Sequence, residues 1–315
     1  MLRGTHLVLC TALAVSSTAG CERESRPTDT RPTENKDTRP ARRVEAKPAA
    51  APDRTDRDES EVADRSNRGG PSGDPTIVIQ TECFAVGYPE HVTKIRHRED
   101  AIHIEAGDTE FLWDDGRDKT FEQKLSSPDL EDTVSMTYPI GEPGEPPEPD
   151  EDPGRIRHDG FLQHVYGDSE AEVRDNLVSV EWPGEGTVAF NERNGAAAAL
   201  EAVADELTDL PGEYKKYFTE TAGTFNWRTI SGTERMSAHS YAIAIDLNVD
   251  YSNYWRWQDK TGENLEYENR IPWAIVEVFE RHGFIWGGKW HHYDTMHFEY
   301  RPELFASGCY RRYQD

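Results

Sequence analysis

Two short stretches concentrate the side chains able to bind a cation and move protons. In Ser237-Ala238-His239-Ser240-Tyr241-Ala242-Ile243-Ala244-Ile245-Asp246, an imidazole lies a short turn ahead of a carboxylate. From Ala242 onward small and β-branched residues alternate up to the acid, so an extended chain sets Ala242, Ala244 and Asp246 on one face. A carboxylate among methyl groups is costly unless something pairs with it, and a metal ion does so. The second stretch is Trp290-His291-His292-Tyr293-Asp294-Thr295-Met296-His297-Phe298-Glu299-Tyr300. His297 and Glu299 flank Phe298 as on a strand with one polar face, and Asp294 falls on the turn entering it. His239, Asp246 and His297 would leave the fourth position of a tetrahedral zinc ion (Zn2+) open to water, whose pKa then falls to about 7. By residue type His291 and His292 are equally eligible ligands, and His239 reads equally as a hydrogen-bonded core histidine. Glu299 reads as a carboxylate that orients a ligand rather than as a fourth ligand.

Several elements must position these groups. Ala196 to Leu210 is alanine-rich, with Leu200, Val203 and Leu207 at helical spacing, and Pro211-Gly212 stops it. Another helix begins at Pro272 and ends at Gly283. Leu177 to Trp182 and Thr187 to Phe190 read as strands joined by Pro183-Gly184-Glu185-Gly186, and Phe284 to Trp286 and His297 to Tyr300 read as two more. Thr76 to Ile79 is β-branched and predicts a first strand, while Phe121 to Met136 has helical character. The acidic, proline-rich stretch from Gly141 to Pro153 predicts a solvated loop or hinge. It divides a small N-terminal subdomain, 76–153, from a C-terminal part, 154–315. Without regular strand and helix alternation the class is α+β, with a small antiparallel sheet and flanking helices.

The amino terminus reads as an address rather than as fold. Met1-Leu2-Arg3 is basic, Leu7 to Val15 is an apolar run too short to span a bilayer, and Thr18-Ala19-Gly20-Cys21 closes it. The last three residues resemble a bacterial lipobox, which would make 1–21 a lipoprotein signal and Cys21 the lipid-anchored residue at a membrane. An ordinary secretory signal cut near Ala19 is the alternative. From Glu22 to Pro75 there is almost no large apolar residue, which predicts a disordered tether. With Cys10 removed and Cys21 lipidated, Cys83 and Cys309 remain as a disulfide pair or as two buried thiols. The chain carries 35 basic against 60 acidic residues, a formal charge of −25, which argues against a nucleic-acid partner. Nothing in the sequence sets an oligomeric state.

The paired motifs, Ser-x-His-x-x-x-x-Ala-x-Asp and Asp-x-x-His-Phe-Glu, resemble those of the zinc peptidases that comprise D-alanyl-D-alanine carboxypeptidases, D-Ala-D-Ala dipeptidases and phage L-alanyl-D-glutamate endopeptidases. The resemblance covers roughly Val188 to Leu304. It implies a hedgehog/DD-peptidase-like fold, with His239, Asp246 and His297 as zinc ligands. It also implies Asp294 as the general base and Arg228 as the arginine that holds the oxyanion or the peptide. The expected substrates are peptidoglycan stem peptides. Asp in the Asp-x-x-His motif leans towards the endopeptidases, since the carboxypeptidases and dipeptidases usually carry Glu there. Ser237 would bind substrate or shape its turn, and Trp290 and Tyr293 would line the cleft or pack in the core. Ala242 stands where the family usually has Gly, and its methyl group crowds any backbone that needs a positive φ. The rival expectation is a non-catalytic, zinc-containing wall-binding lipoprotein.

Overall fold

The computed structural model describes residues 75–98, 101–258, 261–262 and 265–306. The segment read as an export signal, Cys21, nearly all of the expected tether and Cys309 lie outside them. The first element is helix α1 (Pro75–Gly87), not the strand that Thr76 to Ile79 suggests. Intrinsic β-preference is weak, and packing overrides it. Thr81, Phe84 and Tyr88 are all buried at helical spacing, and the Phe84 ring lies 5.1 Å from Tyr88 and 4.9 Å from Phe161. Gly87 permits a close approach to the far end of the chain, since a Cβ there would sit 2.5 Å from the Glu303 backbone. Cys83 is buried and disulfide-bonded.

Strands β1 (Val92–His97), β2 (Ile102–Ala106) and β3 (Thr109–Leu112) form an antiparallel meander. Helix α2 covers only Phe121–Ser126, followed by a 3-10 turn at Glu131–Val134. Pro128 interrupts the longer helix suggested by the sequence, because its ring restricts Ser127 and it has no N–H to donate. Next come α3 (Asp159–Tyr166), α4 (Glu170–Asp175), and the hairpin of β4 (Leu177–Trp182) and β5 (Gly186–Asn191). Helix α5 (Ala196–Thr208) buries Leu200, Val203, Ala204 and Leu207 on one face. The short α6 (Lys215–Phe218) follows, then β6 (Ala244–Asp246), α7 (Trp255–Gln258), α8 (Trp273–Arg281), β7 (Phe284–Trp286) and β8 (His297–Tyr300). The class is α+β, with small antiparallel sheets and flanking helices. Among the described residues no helix is long and apolar enough to cross a membrane.

The last sheet, ordered β6-β8-β7, positions the chemistry. Its register sets Asp246 opposite His297 and Ala244 opposite Glu299, so these four side chains share one face. Ile245 and Phe298 point the other way and are fully buried, with Phe298 stacked 4.0 Å from Phe279 of α8. Residues on both sides of the proline-rich stretch, from Phe84 to Leu304, contribute to one core. The stretch itself is mostly exposed up to Glu151, but Asp152, Pro153 and Gly154 are buried. There the Trp290 indole donates to the Pro153 carbonyl at 2.8 Å and the His291 N–H to the Glu151 carbonyl at 2.8 Å.

Ala242 is not on the strand, which begins only at Ala244. It ends a 3-10 turn, Ala238–Tyr241, in the left-handed conformation, with φ 53° and ψ 43°. A side chain there costs about 1–2 kcal/mol, whereas glycine loses about 0.4–1 kcal/mol through the freedom of the unfolded chain. Ala242→Gly is therefore expected to raise stability by about 0.5–1 kcal/mol in urea denaturation. A loss of stability would mean that the methyl group packs better than the backbone is strained.

Candidate metal centre

The Asp246–His297 cross-strand pair supplies two donors, and the turn carrying His239 supplies a third. The turn is held by the Ser237 hydroxyl, which accepts the His239 backbone N–H at 3.4 Å. His239 Nε2 lies 3.2 Å from Asp246 Oδ1 and 3.3 Å from His297 Nδ1, and His297 Nδ1 lies 3.0 Å from Asp246 Oδ1. Nitrogen and oxygen donors around one tetrahedral zinc ion lie about 3.3 Å from each other, so the three atoms have the spacing such an ion requires.

Each ring is fixed by its other nitrogen. The Thr224 carbonyl can only accept, so His239 Nδ1 donates to it at 3.0 Å, leaving Nε2 free to bind. Thr224 is brought there by the backbone bridge from Gly223 to Asp246. His297 Nε2 lies 3.3 Å from Glu299 Oε2, which leaves Nδ1 facing Asp246. Although burial disfavours its charge, Glu299 is held well below the usual carboxylate range by Arg157 and His297. It is therefore an ionised acceptor. Arg157, itself buried, grips both Glu299 oxygens through Nε and Nη2. Such outer partners fix the tautomer and the orientation of metal-binding histidines.

Electrostatics converge on the same point. Burial works against the Asp246 carboxylate, but His239 and His297 hold it well below its ordinary range. Burial likewise disfavours charged His297, yet Asp246 and Glu299 outweigh it and raise the ring to about 10. A divalent cation would take the place of that proton as the positive charge these carboxylates face. Burial first, and then the Asp246 charge, push Asp294 up to about 7, and its Oδ1 is buried without a hydrogen-bond partner among the described residues. The open position of the donor set and the unpartnered carboxyl both fit a catalytic divalent ion rather than a closed structural one. Two other acidic groups, Asp114-Asp115-Asp129 and Asp129-Glu131-Asp132, also cluster closely enough to hold an ion. There the Lys119 ammonium already bridges Asp115, Asp129 and Asp132.

A cleft of about 340 Å³ opens over the centre, lined by the three donor residues, Asp294, Arg228, Ser237 and Trp290. Tyr293 does not line it; its ring is buried and its hydroxyl donates to the Glu266 carbonyl at 3.1 Å. His291 and His292 are not in the donor group, and His292 Nδ1 pairs with buried Asp152 at 2.9 Å. Arg155, Arg157, Tyr254 and Arg256 also line the cleft, and sequence reasoning passed them over. The one available signal was the alternating Arg155-Ile156-Arg157 directly after an acidic run. Residues 231–300 match the model of a family described as D-alanyl-D-alanine carboxypeptidase, which bears out the resemblance drawn from the two motifs. This segment is thus similar to a peptidase family, and it spans both motifs. No curated protein and no solved structure matches the chain.

Arg157→Ala removes both hydrogen bonds that Arg157 gives the buried Glu299 carboxylate and leaves it Arg301, 3.6 Å away, so a loss of about 3 kcal/mol is expected in urea denaturation, with zinc affinity weakened about 10- to 100-fold in competition titrations. Unchanged zinc affinity would show that Glu299 orients His297 without the Arg157 clamp. Asp294 binds its proton more tightly in the fold than in the unfolded chain, where the ordinary value is 3.8. Its contribution to metal-free stability is complete below about pH 4 and is lost as pH rises through about 7. Asp294→Asn should remove that loss and make the chelated protein more stable than the parent at about pH 8. Identical pH profiles for the two proteins would contradict a buried, proton-binding carboxyl at this position.

Proposed function

We propose that the chain is a zinc-dependent peptidase that hydrolyses peptide bonds in peptidoglycan stem peptides. The observation that carries this reading is the convergence of His239, Asp246 and His297 on one point in the cleft that Asp294 also lines, with the Asp294 Oδ1 buried and lacking a partner among the described residues. The match of residues 231–300 to a carboxypeptidase family supports the substrate class.

In this reading His239, Asp246 and His297 hold the ion. When bound, zinc supplies a polarising charge for the scissile carbonyl and makes a water molecule more acidic. Asp294, raised to about 7 by burial and Asp246, is poised to take a proton from water and return it to the leaving amine, as a base and acid matched to neutral pH requires. Arg228 lines the cleft and presents its guanidinium to the developing oxyanion or to the peptide, and Ser237 shapes the His239 turn. The Asp at position 294, where carboxypeptidases usually carry Glu, favours cleavage of the L-alanyl-D-glutamate type. The amino-terminal motif ending in Cys21 supports export and a lipid anchor facing the cell wall.

Incubation with purified sacculi, followed by mass spectrometry of the released peptides, is expected to show new amino termini or free D-alanine. A chelator should abolish this release and zinc should restore it. Asp294→Asn should still bind zinc while turnover falls about 100- to 10,000-fold. Full turnover in that variant would remove Asp294 from the mechanism, and intact sacculi after incubation with zinc-loaded protein would leave the non-catalytic wall-binding reading in its place.

A further inference from the structure

We infer that Arg235, with Arg157 beside it, forms an anion site outside the cleft over the metal centre, and that this site takes a phosphoryl group, either as free phosphate or as a phosphodiester within a larger molecule. The site is separate from the proposed peptidase chemistry and stands or falls without it.

Three segments far apart in the chain meet around a pocket of about 150 Å³. The end of α2 supplies Leu125 and the turn after it Pro128, the start of α3 supplies Arg157, His158 and Asp159, and the turn between Thr229 and Met236 supplies Arg235. The volume is that of about five liquid waters, enough for a tetrahedral oxyanion. Arg235 gives the reason to expect one. Its backbone is fixed, since its N–H donates to the Thr233 hydroxyl at 3.2 Å and its carbonyl accepts the Ile230 N–H at 2.8 Å. Its side chain is partly buried, yet the guanidinium makes no hydrogen bond or ion pair among the described residues. Asp159 is the one carboxylate among the described residues of the pocket wall, and both of its oxygens are engaged. Oδ2 accepts the Met236 N–H at 2.9 Å and Oδ1 the Tyr241 hydroxyl at 3.4 Å.

Burial, and then the charges of Arg157 and Arg155, pull the Arg235 guanidinium down to about 10, with Asp159 acting the other way. A guanidinium nonetheless stays charged at neutral pH, so the fold holds a cation partly out of water without a partner. A bound anion offsets that cost. The other walls decide which anion. Arg157 spends Nε and Nη2 on Glu299 and Nη1 on the Arg155 carbonyl, so it adds positive field more than a second fork. His158 Nδ1 accepts the Phe161 N–H at 3.0 Å, which puts the ring proton on Nε2 as a donor, and burial lowers its pKa so that the ring is neutral at pH 7. A carboxylate is satisfied by one guanidinium fork. A phosphoryl group carries more charge and three strong acceptor oxygens, which suits a fork, a second cation beside it and an imidazole donor together. Leu125 and Pro128 make part of the wall apolar, and a low local dielectric strengthens such bonds.

The test titrates zinc-loaded and metal-free protein with inorganic phosphate, with a glycerol phosphodiester and with acetate, all at one ionic strength, and reads binding by calorimetry. Phosphate is expected to bind saturably to both forms of the protein. Arg235→Gln should weaken that binding about 10- to 100-fold, with Arg235→Lys intermediate. In thermal denaturation phosphate should raise the Tm of the parent further than that of Arg235→Gln. Without phosphate the variant should be at least as stable as the parent, because it loses an unpaired, partly buried cation. Binding of the diester as well as phosphate identifies a phosphodiester as a source, and binding of phosphate alone identifies the free ion. Acetate bound as tightly as phosphate overturns the phosphoryl assignment. Phosphate held only by the zinc-loaded form belongs to the metal ion and overturns the site, as does binding that survives undiminished in folded Arg235→Gln.

Discussion

Asp246 and His297 face each other across β6 and β8, and the register of that one pair carries the whole centre. A slip by one residue would turn both side chains towards Phe279 and expose Ile245 and Phe298 instead. What prevents the slip is apolar. Ile245 and Phe298 are fully buried on the opposite face, and Phe298 stacks on Phe279. Three donor atoms can therefore converge before any cation arrives, because the free energy that sets their places comes from burial on the other side of the sheet.

Behind the donors runs a ladder of alternating charge. His297 leans on Glu299, Glu299 on Arg157, and Arg301 lies between Glu299, at 3.6 Å, and Glu303. Tyr88, directly after α1, donates to Glu303 at 3.0 Å. Buried ion pairs of this kind add little net stability, because desolvation offsets their attraction. Their effect is directional. Glu299 stays ionised, His297 keeps its proton on Nε2, and Nδ1 remains the atom turned towards Asp246.

Much of this was legible in the residue order. The hairpin of β4 and β5, helix α5, helix α8 with its Gly283 stop at φ +81° and the final strand all lie close to where periodicity and turn residues put them. So do the three donors, because a polar face beside an apolar one leaves a mark at period two. Long-range packing left no such mark. Thr76 to Ile79 is locally strand-like, and only the docking of Phe84 and Tyr88 makes it helical. Ala242 belonged to an alternating pattern by residue type alone, while its backbone closes a turn. Arg155 and Arg157 of the cleft were hard to place for a related reason, since beyond their own alternation nothing between Gly141 and Arg157 announces that this stretch will end beside Trp290 and His292.

That last placement determines what can be inherited as a unit. The segment matching the carboxypeptidase family begins at residue 231, yet Thr224, Arg155 and Arg157 lie upstream of it, and Asp152 anchors the strap that delivers two of them. A graft of residues 231–300 onto a foreign scaffold would transfer the cation donors but leave Glu299 without a counter-charge and His239 without the carbonyl that turns it. The centre is not a portable cassette; its smallest transplantable unit extends back at least to Asp152.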